Sequence, residues 1–214
     1  MKAKSAGFTL LEIMLVIALL AILLGLAAPS FSDFVRNSRM TSKANDLLAA
    51  LNLARTEAIK RHVPVTVCAT ADAAAVAPEC DADADFSQWL VFVDDDGDPD
   101  VATGDEGNGT FETDSDEILL LRSSDSIASI TTVPSGDVAG YVQFGQDGFQ
   151  RRDLGAAPSD LAVLMCDDRG NTAVSGADIS AARAMFITRT GRAEVSRSVE
   201  RITDADDDFG VGCP

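Results

Sequence analysis

One stretch limits what this chain can fold into more than any other. From Ile13 to Ala28 there is no charged side chain, and only Gly25 weakens the run. Counted from Phe8, the apolar segment is interrupted only by Thr9 and Glu12. That is about the length a helix needs to cross a bilayer, roughly 20 residues. Glu12 is the odd member. A carboxylate at the centre of a membrane helix costs on the order of 3 kcal/mol, so it should mark a function and have a partner. Two plainer readings compete. One is a secretory signal peptide cut at Gly25-Leu26-Ala27, a small-x-small site, although Glu12 would then interrupt its apolar region. The other is a simple anchor, which gives no reason for Gly7-Phe8 or for Glu12.

The flanks sharpen the pattern. A short leader, residues 1–7 with Lys2 and Lys4, ends in Gly7; Phe8-Thr9-Leu10-Leu11-Glu12 follows, and the apolar helix runs to Pro29. This resembles the leader and N-terminal helix of type IV pilins and type II secretion pseudopilins. The resemblance implies that prepilin peptidase cleaves between Gly7 and Phe8 and methylates the new amino group of Phe8. It also implies that Glu12 serves subunit assembly. A physical role fits: in a filament, the Glu12 carboxylate of one subunit can pair with the α-amino group of Phe8 on a neighbour, relieving two costly intramembrane charges together.

Past Pro29 the helical pattern continues. Phe31, Phe34, Val35, Ala44, Leu47, Leu48, Leu51, Ala54, Ala58 and Ile59 recur at intervals of three and four, with Arg36, Arg39, Lys43, Arg55, Lys60 and Arg61 between them. One helix from Phe8 to about Arg61 would be about 80 Å long. Pro29 should kink it. The expected divisions are a leader at 1–7, a transmembrane and assembly half at 8–29, an amphipathic half at 30–62, and a β-rich domain at 63–214. Pro64 should stop the helix near His62.

The remainder reads as short strands with glycine turns: Val63–Cys68, Gln88–Asp94, Glu117–Arg122, Ile127–Val133, Ala139–Phe144, Leu161–Cys166, Arg183–Arg189 and Arg192–Arg197. After one long helix, this predicts an α+β fold, with the helix packed against an antiparallel sheet domain. Four cysteines allow three pairings. Cys68–Cys80 would close a short loop and stabilise by about 3 kcal/mol, and Cys166–Cys213 would then tie down the C-terminal tail. The asymmetry of charge is large. The chain carries 17 Lys+Arg and 34 Asp+Glu, a formal net charge of −17. Loss of Lys2 and Lys4 with the leader would take this to −19. No Lys or Arg lies between Arg61 and Arg122. Such a chain repels polyanions as a whole, so nucleic-acid binding would need a local basic patch.

The later landmarks resemble the GspH/FimT group of minor pilins and pseudopilins. They are Trp89-Leu-Val-Phe-Val-Asp94 with its acidic glycine loop, Glu117–Arg122, Phe144 near Gly148, Cys166-Asp-Asp-Arg-Gly170, Thr190-Gly191-Arg192 and Cys213. The resemblance implies a low-copy subunit at a filament tip that helps initiate assembly of a type IV pilus, or a pseudopilin of type II secretion. Its partners would be other minor pilins or pseudopilins, prepilin peptidase and the bacterial inner membrane, with the β-rich domain in the periplasm. Some members bind DNA through a C-terminal Gly-Arg-x-Arg element; here Glu194 stands where the second arginine would be. Arg189, Arg192 and Arg197 are the candidate polyanion contacts, within a basic stretch that also holds Arg183 and Arg201. Pairing of these arginines with acidic groups is the favoured reading, so DNA is a partner not favoured.

Asp94, Asp96 and Asp98 have spacing similar to the start of a calcium loop. Gly97 falls between Asp96 and Asp98, and no Glu occupies the twelfth position, so a solvated acidic loop is favoured over a calcium site. No other cofactor is expected. The sole histidine, His62, has no catalytic partner in the pattern, and no nucleophile motif or phosphate loop occurs. No enzyme activity is expected.

Overall fold

A computed structural model describes residues 7–81, 85–94, 111, 118–123, 129–135, 140–151, 160–174 and 178–213, with the side chains of 26–30, 118 and 151 outside that set. The chain divides into two compact units, one ending at Arg39 and the other beginning at Met40. Helix α1, Leu10–Arg61, contributes to both.

In the second unit, α1 buries Met40, Ala44, Leu47, Leu51, Ala54 and Ala58. Their spacing alternates between four and three, which lines one face of a helix. His62 ends the helix with its N–H donating to the Ala58 carbonyl at 2.9 Å and its φ at 60°. Pro64 then keeps the backbone extended.

Two antiparallel sheets share that helix face. The first runs in the order β3 (Ile118–Arg122), β2 (Trp89–Val93), β1 (Val65–Ala69), β5 (Tyr141–Phe144), β6 (Gln150–Arg151). The second runs β4 (Thr131–Pro134), β7 (Leu161–Cys166), β8 (Arg183–Ile187), β9 (Ala193–Ser196). Strand alternation explains the layers. Val65 and Val67, Trp89, Val91 and Val93, Leu161, Val163 and Met165, and Met185 and Ile187 join the α1 stripe in one core. The opposite face of β7, with Ala162, Leu164 and Cys166, packs under a C-terminal helix, α2 (Val199–Phe209), through Ile202 and Ala205. Both faces of β7 are therefore covered, and all six of its residues are buried. The outer face of the first sheet, with Cys68, Leu90 and Phe92, is covered by Ala73 and Phe111.

The expected strands appear with shifted ends. β1 starts after Pro64, whose carbonyl accepts from the Asp94 N–H at 3.0 Å. The stretch expected over 183–189 stops at Ile187, because residues 188–191 form the turn. Part of the strand expected at Ile127–Val133 lies outside the described residues; its described portion pairs from Thr131. β6 and α2 were not anticipated from the sequence. Disulfides join Cys68 to Cys80 and Cys166 to Cys213.

The two sheets and the helix meet at one place. Gly148 and Gly191 both have φ of 75°. A Cβ on Gly191 would sit 2.1 Å from the Gly148 carbonyl oxygen, and one on Gly148 would strike the Ile59 side chain. Arg55 of α1 donates to that same carbonyl at 3.1 Å, and the Gln150 N–H donates to the Arg189 carbonyl at 3.1 Å. Only glycine fits two turns packed this closely in this backbone region.

Candidate functional site

The first unit presents a helix start built by its own sequence. Thr9 precedes α1, and its hydroxyl accepts from the Glu12 N–H at 3.2 Å. Its carbonyl accepts from the Ile13 N–H at 3.2 Å. Thr9-x-x-Glu12 is thus a capping-box sequence, a signal that the motif-based reading passed over. Glu12 lies in the first turn, where a carboxylate is favoured by the helix dipole. Phe8 is 77% exposed, and among the described residues nothing lies within 4 Å of a Cβ placed on Gly7. The Gly7–Phe8 bond is therefore open.

Behind this start the apolar side chains are exposed around the whole helix. Ile13, Met14, Leu15 and Val16 follow one another at 100° per residue and so face four sides of the helix, and all four are exposed. The pattern persists through Leu24 and includes Phe31 and Phe34. A helix apolar on every side belongs in lipid or inside a bundle. Among the described residues, no helix is long and apolar enough to cross a membrane. The described side chains of the apolar segment stop at Gly25, and those of 26–30, Pro29 included, lie outside the described set.

The C-terminal arginines do not form one basic patch. Arg183 is buried at 1% exposure, on the same strand face as Met185 and Ile187. Its Nη1 donates to the carbonyls of Ser180, Ala181 and Ala182 at 3.2, 2.9 and 2.9 Å, and its Nη2 donates to Thr41 Oγ1 at 3.2 Å. Burial, with Arg197 and Arg169 nearby, lowers its pKa to about 10. Burial sets Arg183 apart from Arg189, Arg192, Arg197 and Arg201, which are exposed. Arg189 donates its backbone N–H to Asp160 at 2.7 Å and pairs with it through the side chain at 3.4 Å. Arg192 and Arg201 both approach Glu194, at 3.9 and 2.5 Å, and Arg201 lies over the Phe186 ring. Arg197 is exposed, and its carbonyl accepts from the Ser180 N–H at 2.6 Å. Glu194, where a second arginine would extend a polyanion site, is a carboxylate shared by two arginines.

Of the acidic triplet, Asp94 is described and Asp96 and Asp98 lie outside the described residues. Asp94 is buried and accepts from Thr66 Oγ1 and, at 3.0 Å, from Gln143 Nε2. Those bonds join β1, the end of β2 and β5. Among the described residues, no group of three or more His, Cys, Asp or Glu could hold a metal ion.

Comparison with known proteins adds two family matches. The model described as type II transport protein GspH matches residues 43–191. The model described as the prokaryotic N-terminal methylation motif matches residues 2–28. No curated protein matches. Among solved structures, the chain is similar to the type IV minor pilin FimU of Pseudomonas aeruginosa in two crystal forms. The first has 16% identity and a TM-score of 0.47, covering 78% of this chain and 98% of that one. The second has 17% identity and a TM-score of 0.45, covering 73% and 91%.

Proposed function

The chain belongs to the GspH family of type II transport proteins, and from that premise we propose that it is a minor, membrane-anchored subunit that helps initiate and assemble a type IV pilus tip. The observation that carries this reading is the N-terminal unit: Glu12 in the first turn of a helix whose apolar side chains are exposed on every side, directly behind an open Gly7–Phe8 bond. The methylation-motif match over residues 2–28 supports it. On this reading, prepilin peptidase cleaves after Gly7 and Phe8 becomes an N-methylated terminus in the inner membrane. Glu12 then accepts the charged amine of a neighbouring subunit. In the membrane the apolar side chains are already out of water, so lateral association rests on van der Waals packing and on the Glu12–amine pair, which also selects the register. The β-rich domain sits in the periplasm and contacts other minor pilins or pseudopilins.

The same helix serves a type II secretion pseudopilus equally well, and companion subunits decide which filament receives the chain. A DNA-uptake role is less favoured, because Arg189, Arg192 and Arg201 already face carboxylates. The test is Glu12→Ala in the full chain. The variant should be cleaved normally, while its recovery in the filament or tip fraction drops at least about tenfold. Wild-type recovery would reject the assembly role.

A further inference from the structure

The loop bounded by the Cys68–Cys80 disulfide has an unusual composition for a surface loop. Residues 73–78 are Ala-Ala-Ala-Val-Ala-Pro. Ala73 and Pro78 are buried and root the loop; Ala74, Val76 and Ala77 are exposed, with Val76 at 102%. Exposed apolar side chains gathered at one loop tip and rimmed by polar residues mark a contact surface, whereas the same residues scattered singly would not. This one is also held in a fixed shape. Arg122 Nη1 donates to the Ala73 and Ala75 carbonyls at 3.3 and 2.7 Å. Gln88 accepts from the Ala73 N–H at 2.9 Å and donates to the Ala71 carbonyl at 3.4 Å. The Asp72 carboxylate accepts from the Ala74 N–H at 2.9 Å, and the disulfide clamps the base. Six residues that bury only two side chains would not by themselves repay the cost of their ordering, about 1–2 kcal/mol per residue. The supporting groups meet that cost in advance, which leaves less to lose when the tip docks.

The surroundings select the partner. Asp72, Glu79 and Asp81 flank the apolar tip; the Arg122 guanidinium on the Ala73 and Ala75 carbonyls offsets part of their charge, and no Lys or Arg occurs from residue 62 to 121. An acidic collar is repelled by anionic lipid surfaces and by nucleic acid. A protein surface with an apolar hollow and a basic rim complements both features. We propose that the Val76 loop is a preformed peg that inserts into such a hollow on a different pilin-like subunit of the same assembly. This rests on the assembly reading above and adds a contact in the globular domain to the one made by the helix.

The test uses the full chain in its native membrane, together with epitope-tagged pilin-like subunits of the same cell that carry the Gly-Phe-x-x-x-Glu processing motif. After detergent extraction, Val76→Asp should reduce their co-recovery at least about tenfold, the size expected for loss of a central apolar contact. Val76→Leu should stay within about twofold, and the thermal midpoint of both variants should match the parent. Co-recovery of Val76→Asp at the parent level overturns the proposal. So does recovery of a second tagged copy of this chain in place of those subunits, or binding to phosphatidylglycerol vesicles that Val76→Asp abolishes. The Glu12→Ala variant separates the two levels. If it loses incorporation while Val76→Asp keeps every partner, the peg fails and the assembly reading stands. If Glu12→Ala is incorporated normally, the assembly reading itself fails.

Discussion

The same helix behaves as two different objects. From Leu10 to Leu24 it exposes leucine and isoleucine in all directions, and Phe31 and Phe34 are exposed beyond; from Met40 to Ala58 it buries a single stripe and turns polar residues outward. The difference lies in where the stabilising surface comes from. The second stretch finds its partner within the chain, on two sheets that supply valines, Trp89 and Phe144. The first must take its partner from lipid or from other helices, because an all-round apolar helix has no solvent-facing side. Even the buried cation in the second stretch is provided for: Lys43 is 2% exposed and its ammonium stands 4.3 Å from the Trp89 ring centroid. On the proposed function, Glu12 in the first stretch takes its answering charge from another molecule.

This contrast can be broken by matched substitutions. Leu47 is 1% exposed and Leu15 is 57% exposed. Leu47→Ala should cost about 2–5 kcal/mol of domain stability in a denaturant titration. Leu15→Ala should leave that titration within about 0.5 kcal/mol and act only on assembly. Equal effects of the two on domain unfolding would erase the distinction.

A smaller effect sharpens the internal side of the comparison. The Cys166–Cys213 bridge closes a separation of 47 residues, and Cys68–Cys80 one of 12. Loop-closure entropy then predicts that replacing Cys166 and Cys213 by Ser costs about 1 kcal/mol more than replacing Cys68 and Cys80. The same titration reads both variants. The shorter bridge holds the Val76 loop, so its loss should weaken partner recovery more than it weakens the fold.

The sequence made much of this legible where the signal was local. The three-and-four spacing marks α1, Pro64 marks its end, and unbroken apolar runs such as Leu161–Cys166 mark strands covered on both faces. α2 was missed because Asp204–Asp208 reads as a solvated charge run. Its signals were nonetheless present: Ser198 caps the start by accepting from the Arg201 N–H, Val199, Ile202, Ala205 and Phe209 recur at three and four, and Gly210 ends the helix at φ 65°. Arg183 was read only as a member of a basic stretch, although period-two alternation puts it beside Met185 and Ile187 on the inner face. The carbonyl cradle that receives it comes from the preceding loop, and Thr41 is far away in sequence. The meeting of Gly148 with Gly191 and the sharing of Glu194 by Arg192 and Arg201 are tertiary facts with no local signature.

The central claim is that the apolar half of α1 stays on the mature chain and begins at Phe8. Intact mass measurement of the protein extracted from cell membranes tests this directly. The account predicts a chain starting at N-methylated Phe8, with Glu12 and the whole apolar helix retained. A chain starting after Ala27 would show that the segment is a discarded signal peptide, and would contradict the assembly function built on it.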